Sequence, residues 1–398
     1  MTVLFVTPYL RKRGETPKGG GLEAYLLRVA KALVELGHTP IVLALSISET
    51  HYYEDGIEFF FIKCKVPIHF GESVFGLMCQ KIEQSLAVNR EVAGLLKERK
   101  IDIIQFPQTF GTAACYFKQT PSVLRLSSYA KTYFVNRYSR SQLWMEAFME
   151  RLGARRCNAV FAPSYVVADA FSRDIHRKVS VIESPFLNDV AENDDSIYQN
   201  NLAGKKYVMF IGRLAIEKGI VEITEAIFSF FEKNPDYFLV CCGDDDNING
   251  RSTLYELKRA AGCFKDRVIH LRTMSHETLY PVMQHADFVI CPSRMENLSN
   301  ACMEAMYFGR VVIGTNGTSY EQLIQDGKSG LLCQPKNSRD LLDKMNKAAA
   351  MSRAEKLRMG ENARKRMGKM APKYTVKKLL RYYQYVIDHV NDPKCKQI

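Results

Sequence analysis

The sequence predicts an α/β protein built from two doubly wound, parallel β-sheets. Short apolar runs alternate with helix-like stretches along the chain, which is the order of βαβ units. Several of these runs are apolar without interruption, as expected of strands buried on both faces. At 398 residues the chain is too long for one ordinary core, so two domains are expected.

The predicted strands form two sets. Those of the first half are 2–8, 39–46, 56–63, 102–107, 122–127, 159–164 and 179–184. Those of the second half are 207–212, 237–243, 268–272, 287–293, 311–315 and 330–334. Doubly wound sheets bind ligands at the carboxyl ends of their strands, so we expect the functional residues on the loops that follow these runs.

A polar stretch separates the two sets of strands. Residues 188–206 are acidic and poor in apolar side chains, which is typical of a linker. We therefore predict one domain over 1–195 and a second over 196–373. The tail predicts a helix over 374–392, because apolar residues from Val376 onward recur at three- and four-residue spacing. This helix is expected to pack back on the first domain.

The composition is typical of a soluble globular protein. The hydrophobic fraction is 46% and the mean hydropathy is −0.18, and no run approaches the roughly 18–20 apolar residues of a membrane span. Residues 1–8 lack the features of a signal peptide and predict a buried strand. The eleven cysteines show no metal-ligand spacing, so reduced core cysteines in a cytoplasmic protein are expected.

Positive charge is concentrated in two regions of a chain whose net charge is +12. Residues 118–156 hold 8 basic and 2 acidic side chains, interleaved with aromatic ones, and the last 51 residues hold 13 basic and 4 acidic ones. Such a pattern suits nucleic acid, an anionic membrane surface or an acidic acceptor, and it also suits solvated basic helices. No nucleic-acid motif accompanies the charge, so nucleic acid is not expected as a partner.

A strand, loop and helix over 287–306 carry two spaced carboxylates. Glu296 lies on the loop and Glu304 lies inside the helix, which Ser299 or Asn300 can cap. The free backbone N–H groups at the start of this helix favour an anion. Alone, two Glu residues on a helix are usually solvated. Carboxylates around an anion site suit a ligand with hydroxyls on both sides of a phosphate, such as a nucleotide sugar.

Two further motifs precede a helix. Gly19-Gly20-Gly21-Leu22-Glu23 offers a close backbone approach to a ligand. The segment 211–219 (IGRLAIEKG) places Arg213 and Lys218 after a strand. An arginine fork with a lysine point charge is a pair expected for a diphosphate, although loop cations are also commonly solvated.

Taken in order, these motifs resemble the retaining GT-B glycosyltransferases of family 4 (glycosyl transferases group 1). Gly314-Thr315-Asn316-Gly317, Glu321 and the segment 326–331 (DGKSGL) continue the pattern. The resemblance covers most of the chain and is strongest from 207 to 335. It implies a GT-B fold, in which two Rossmann-like domains face a central cleft, with the acceptor bound by the first domain and the donor by the second.

The resemblance also implies roles for matching residues. Arg213 and Lys218 would hold the donor diphosphate and stabilise the leaving nucleotide, Glu304 would bind the ribose, and Glu296 would contact the donor sugar. The catalytic residues would be Glu296, Arg213 and Lys218. The further donor-binding residues would be Gly20, Gly21, Asn297, Leu298 and Ser299. No cofactor is expected, and no metal ion if the two cations do this work; Asp244-Asp245-Asp246 follows a strand but is expected to be a solvated loop.

The sequence departs from the family pattern at two places. Many relatives carry a histidine at the end of the strand matching 122–127. Here Arg125, Ser127 and Ser128 are the acceptor-side candidates for its place. Glu296 is followed by Asn-Leu-Ser rather than the frequent Gly-Phe-Gly, which bears on sugar selectivity.

The predicted function is retaining transfer of a hexose or N-acetylhexosamine from a nucleoside diphosphate sugar. UDP is favoured over GDP, and the acceptor is expected to be a glycan or lipid-linked acceptor in surface polysaccharide biosynthesis. The protein would act in the cytoplasm, peripherally on the inner face of the membrane. The alternatives are a GT-B nucleotide-sugar epimerase, or a non-catalytic nucleotide-sugar or glycan-binding module.

Overall fold

The computed structural model describes residues 1–12, 21–64, 73–117, 120–133, 138–188, 190, 192–248 and 250–390. The chain divides into two compact units, one formed by Met1–Pro185 with Met370–Ile398 and the other by Phe186–Lys369. The sequence predicts that the first domain ends at residue 195 and the second at residue 373. The structural boundaries fall earlier, at 185 and 369.

The first unit is built on one sheet. Its strands are β1 Thr2–Thr7, β2 Thr39–Ser46, β3 Thr50–Glu54, β4 Ile57–Lys63, β5 Ile103–Pro107, β6 Ser122–Arg125, β7 Ala159–Ala162 and β8 Ser180–Val181. The order across the sheet is β3-β4-β2-β1-β5-β6-β7-β8. All neighbours pair in parallel except β3 and β4. Strand β3 was not predicted; Asp55 and Gly56 turn the chain back with positive φ angles, a usual two-residue hairpin turn.

Helices cover both faces of this sheet. They are α1 Gly21–Glu35, α2 Val74–Glu98, α3 Ala130–Tyr133, α4 Arg140–Arg156 and α5 Tyr165–Ile175. Helix α1 and the final helix Pro372–Asp388 pack on one face, while α2, α4 and α5 pack on the other. Local sequence fixes where the long helices begin, because Ser73 caps α2 and Ser139 forms a capping box with Gln142 at α4.

The second unit is also doubly wound. Its strands are β9 Lys206–Ile211, β10 Tyr237–Cys242, β11 Asn247–Ile248, β12 Arg251–Ser252, β13 Val268–Leu271, β14 Phe288–Ile290, β15 Val311–Thr315 and β16 Leu331–Cys333. Six of them form an all-parallel sheet in the order β13-β10-β9-β14-β15-β16, and β11 and β12 form a separate hairpin. The strand order reverses between β9 and β14, which is where doubly wound sheets bind ligands.

The helices of the second unit are α6 Ser196–Asn201, α7 Ile220–Lys233, α8 Thr253–Ala260, α9 His276–His285, α10 Asn300–Tyr307, α11 Tyr320–Leu323, α12 Ser338–Ala350 and α13 Arg353–Gly368. The final helix of the chain is α14, Pro372–Asp388. None of the helices that the structure describes combines the length and apolarity needed to cross a bilayer.

The predicted linker 188–206 is partly a packed element. It contains helix α6, where Tyr198 stacks on His285 of α9 with ring centroids 3.9 Å apart. Leu202 is fully buried, and the N–H of Asp194 donates to the carbonyl of Glu277 at 3.0 Å. The linker interpretation was therefore wrong for this part, because a few contacts suffice to dock a polar segment that has little apolar content of its own.

Candidate active site

Glycines let the loops at the switch point of the second unit approach one another. Gly212 follows β9 directly, and Gly219, with φ of +81°, ends the loop between β9 and α7. A Cβ atom at Gly219 would overlap the backbone carbonyl of Pro292 on the loop after β14. Glycine is therefore required at this position for both its φ angle and its lack of a side chain.

Lys218 and Glu296 come together across this junction. The Lys218 Nζ atom lies 2.6 Å from Glu296 Oε2, although the residues are 78 positions apart in sequence. The carboxylate raises the pKa of Lys218, so the ammonium group stays charged. The predicted diphosphate-binding lysine and the predicted sugar-binding carboxylate are thus direct neighbours, which the sequence did not indicate.

Arg213 is held on the same loop by two carboxylates. Its guanidinium pairs with Glu217 on one side, and its Nε lies 3.5 Å from Asp246 on the loop after β10. The side chain is 40% exposed, so its remaining N–H groups can reach an anion. Arg213 and Lys218 therefore present two cations from one short loop.

A second ion pair, which was not predicted from the sequence, links the loop after β14 to α7. Arg294 on the loop after β14 donates from Nε to the buried Glu222 of α7 at 2.7 Å. The Arg294 backbone N–H also donates to the Glu217 carbonyl at 2.9 Å. These contacts tie the β14 loop to the segment that carries Lys218. Their residues look like ordinary surface charges in sequence, so no local signal identifies them.

Helix α10 begins as its sequence predicts. Of the two candidate caps, Ser299 is the one used, and its Oγ accepts a hydrogen bond from Cys302 N at 3.2 Å. Asn297 and Ser299 are buried and Leu298 is half-buried. The loop backbone at 297–299 therefore lies directly ahead of the helix N-terminus, where an anion is favoured.

Glu304 points away from bulk solvent within α10. It is 4% exposed, and its Oε1 lies 3.6 Å from His276 Nε2. The His276 ring stacks on Tyr280 with centroids 5.0 Å apart, so α9 fixes the orientation of the imidazole. His276 was not singled out from the sequence, because a lone histidine at a helix start carries no motif.

The acidic loop 244–246 has a structural role. Asp245 accepts hydrogen bonds from Ser252 Oγ at 2.6 Å, Thr253 Oγ1 at 2.7 Å and Leu254 N at 2.9 Å. These bonds anchor the start of α8. Asp244 and Asp245 are exposed, as expected of a solvated loop, and Asp245 in addition holds the start of α8. Within the described part of the chain, no group of three or more His, Cys, Asp or Glu residues is arranged to hold a metal ion.

The acceptor-side candidates Ser127 and Ser128 lie on a loop clamped by one glutamine. Gln108, just after β5, accepts at Oε1 from Ser127 N and Oγ, each at 3.0 Å. Its Nε2 donates to Ser128 Oγ at 3.2 Å and to Glu150 Oε1 on α4 at 2.7 Å. Ala130 N donates to the other oxygen of Glu150 at 3.3 Å. Both serines remain half-exposed on the loop after β6.

Arg125 occupies a different environment from the two serines. It is 5% exposed, stacks over the Tyr25 ring at 3.5 Å and donates from Nη2 to Ser184 Oγ at 3.1 Å. Burial lowers the pKa of Arg125. The structure thus places this residue in the core beneath α1, whereas Ser127 and Ser128 reach the loop surface.

The glycine-rich motif is described only in part. Gly20 lies outside the described residues, and Gly21 is the first residue of α1. Glu23, two residues further on, is buried and pairs with Arg11 Nε at 2.8 Å. This pair ties the start of α1 to the chain that follows β1.

Two doubly wound sheets, with cations and carboxylates at the switch point of the second, define the GT-B class of protein. Two family models narrow the class: Glycosyltransferase Family 4 matches residues 19–185 and Glycosyl transferases group 1 matches residues 193–366. The chain is therefore of the group 1 and family 4 glycosyltransferase type, with one domain of each.

Two of the individual relatives are similar to this chain over less than half of its length. The chain is 29% identical over 162 residues to alpha-D-kanosaminyltransferase of Streptomyces kanamyceticus, covering 41% of each chain. It is 25% identical over 195 residues to GDP-mannose:cellobiosyl-diphosphopolyprenol alpha-mannosyltransferase of Xanthomonas oryzae, covering 48% of each. Both matches span less than half of the relative's length.

A solved structure supports the fold over nearly the whole chain. Anabaena HepE in complex with UDP and glucose matches with a TM-score of 0.70 at 17% identity, over 96% of this chain and 99% of that one. At this identity the likeness shows the fold alone. It confirms the GT-B prediction.

Proposed function

We propose that this protein transfers a hexose or N-acetylhexosamine from a nucleoside diphosphate sugar to a glycan or lipid-linked acceptor in surface polysaccharide biosynthesis. The observation that carries the proposal is the junction of Lys218 with Glu296 beside Arg213 and the capped start of α10. It combines cations for a diphosphate with carboxylates for hydroxyl groups.

The proposed donor pose follows from these positions. Arg213 and Lys218 bind the diphosphate, Glu304 accepts hydrogen bonds from the ribose hydroxyls, and Glu296 accepts them from the sugar. The backbone of 297–299 completes the donor contacts within the second unit, and Gly20 and Gly21 stay predicted donor-binding residues. Lys218 exchanges part of its contact with Glu296 for a phosphate oxygen, so the carboxylate becomes free to accept from the sugar.

We propose a retaining, front-face reaction without a metal ion or other cofactor. The bond from the anomeric carbon to the diphosphate oxygen breaks, and the acceptor oxygen bonds to the same face of that carbon. The acceptor proton passes to the departing phosphate oxygen. Negative charge grows on the diphosphate as the bond breaks, so Arg213 and Lys218 stabilise the transition state more than the ground state. Arg213, Lys218 and Glu296 are therefore the proposed catalytic residues.

We propose that Ser127 and Ser128 contact the acceptor, because they are half-exposed on the loop after β6, which Gln108 holds. Arg125 is proposed to support this loop from the core. UDP is favoured as the donor nucleotide; HepE was solved with UDP, whereas the Xanthomonas relative is named for GDP-mannose. The cysteines that the structure describes form no disulfide, which is consistent with the proposed cytoplasmic location on the inner face of a membrane.

The experiment is calorimetric titration of the protein with UDP, GDP and ADP. We expect tight binding of one nucleotide, weakened in Glu304→Ala by about 1–3 kcal/mol for a lost charged hydrogen-bond partner. Glu361→Ala, which removes an exposed carboxylate from α13 of the same unit, is the matched control and should bind like the unaltered protein. A folded protein that binds none of the three nucleotides contradicts the proposal.

The two alternative functions make different predictions in a turnover assay. An epimerase converts the donor sugar without any acceptor, and a binding module releases no nucleotide at all. The family models favour a transferase over both. Release of nucleotide that rises when an acceptor is added therefore supports the transferase.

A further inference from the structure

Helix α2 exposes an apolar stripe on its outer side. Phe75, Cys79, Ile82 and Leu86 recur at spacings of four, three and four residues, which places them on one helix face. All four are exposed, and Phe75 is 70% exposed. The opposite face of α2 packs into the core through Val88 and its neighbours, so this stripe is additional to the face that the fold requires.

The outer face of α4 combines aromatic and cationic side chains. Trp144, 60% exposed, stacks on Phe148 with ring centroids 5.5 Å apart and planes inclined by 10°. Arg140, Arg151 and Arg155 fall on the same helix face at three-, four- and seven-residue spacings from the aromatic pair. Arg140 and Arg155 are exposed, so they border the two rings.

The carboxylates of α4 are turned away from this face. Glu146 pairs at 3.0 Å with Lys81, which is itself buried on α2. Glu150 is buried and hydrogen-bonded to Gln108. Helix α4 therefore presents exposed arginines on its outer face, while its two carboxylates are paired on the inward side.

The two surfaces belong to one layer of the first unit. Helices α2 and α4 cover the same face of the sheet, and Leu77 and Met78 of α2 pack near Met145 and Met149 of α4. We propose that the α2–α4 face, formed by Phe75, Ile82, Leu86, Trp144 and Phe148 with Arg140 and Arg155, docks on an anionic lipid bilayer. This inference rests on the proposed function only in that a lipid-linked acceptor gives the docking a purpose.

The chemistry of the face selects this partner. Trp and Phe side chains favour the boundary between lipid headgroups and acyl chains, and arginines beside them meet anionic headgroups. Each arginine is expected to strengthen binding roughly five-fold at low salt. Glu83 borders the α2 stripe, so most of the charge attraction should come from α4.

The test uses the one tryptophan of the chain as the reporter, because Trp144 is an exposed member of the proposed face. Vesicles of phosphatidylcholine with about a third phosphatidylglycerol should sediment the protein, shift its emission to shorter wavelength and shield it from acrylamide. Vesicles of phosphatidylcholine alone should do so weakly, and added salt should reverse the anionic binding.

Paired variants separate this face from the rest of a basic protein. Arg140→Gln with Arg155→Gln should weaken anionic-vesicle binding at least ten-fold, whereas Arg353→Gln with Arg358→Gln removes the same charge from exposed sites on α13 and should change it little. Phe75→Ser should likewise weaken binding, and Leu357→Ser, exposed on α13, should not.

Three results would overturn the inference. The first is equal loss in both arginine pairs, and the second is sedimentation without any change in Trp144 emission. The third is the absence of binding to anionic vesicles at low salt; a concentration-dependent dimer that Phe75→Ser abolishes would then assign the face to a second copy of the chain. UDP titration of the same samples shows separately whether the donor site is present.

Discussion

Replacing Glu150 by glutamine should change how the stability of the first unit depends on pH. Burial raises the pKa of this carboxyl from 4.5 to about 8, against the opposing effect of the hydrogen bonds from Gln108 and Ala130. Glu146 nearby also raises the pKa, and Lys81 lowers it. The side chain thus titrates much later in the folded protein than in the unfolded chain.

The direction in which stability changes with pH follows from the pH at which the folded and the unfolded state each release the Glu150 proton. Below about pH 4.5 both states hold the proton, and the group contributes no difference. Between about pH 4.5 and 8 the unfolded chain has lost its proton and the folded protein has not, so stability falls as the pH rises. The full change is about 3.5 pKa units, or on the order of 5 kcal/mol.

Glutamine has nearly the same shape and does not titrate. At pH 4.5 we expect Glu150→Gln to be about 1–3 kcal/mol less stable than the unaltered protein, because an amide NH2 replaces one of the two oxygens that accept from Gln108 and Ala130. Between pH 4.5 and pH 9 the difference should move by several kcal/mol in favour of the variant. The difference in stability between the two proteins at each pH contains no contribution from other titratable groups, provided that the substitution does not change their environment.

The assay is urea unfolding at several pH values, followed by the emission of Trp144. This tryptophan lies on α4, the helix that carries Glu150, so it reports on the first unit alone. Glu91→Gln, an exposed carboxylate of α2, is the control and should show no such trend. A stability difference between Glu150→Gln and the unaltered protein that is the same at pH 5 and pH 9 would refute the reasoning.

Two further predictions concern the loops. In the unaltered protein the Gln108 amide donates to Glu150 at 2.7 Å. Gln108→Glu places two carboxylates in contact there, so the urea midpoint of unfolding should fall. The double variant Gln108→Glu with Glu150→Gln restores a donor and an acceptor at each contact and should recover most of the lost stability. A double variant no more stable than the single one would disprove the hydrogen-bond account. Gly219→Ala should weaken UDP binding at least ten-fold in calorimetry, because its methyl group overlaps the Pro292 carbonyl. Gly204→Ala has a similar positive φ angle with open space around it, and equal losses of affinity in both would attribute the effect to φ strain alone.

The fold class was readable from the sequence because its signals are local. Uninterrupted apolar runs such as 207–212 form buried parallel strands, and Ser299 caps the helix after β14 as its position indicates. Strand β3 escaped prediction although Asp55-Gly56 is a recognised hairpin turn. Its segment is polar and lies at the sheet edge, so it lacks the apolar pattern of the other strands.

The site was less accessible to prediction because it depends on contacts between distant residues. Lys218 with Glu296, Arg294 with Glu222 and Gln108 with Glu150 are separated by 78, 72 and 42 positions. Each residue looks like a solvated side chain in its own neighbourhood, and the partner is fixed only by the strand order. Motif order indicated which loops matter, but it carried no information on which side chains pair.

Helix α14 gives the chain an unusual order of assembly. The first unit is synthesised first, yet one face of its sheet is completed only by α14, whose Tyr383 hydroxyl donates to Gln105 on β5 at 2.6 Å across 278 residues of sequence. The second unit, Phe186–Lys369, is continuous in sequence and can fold as soon as it leaves the ribosome. The part of that face beside β6, which α14 contacts, therefore stays uncovered in the earlier half of the protein until the later half has been made.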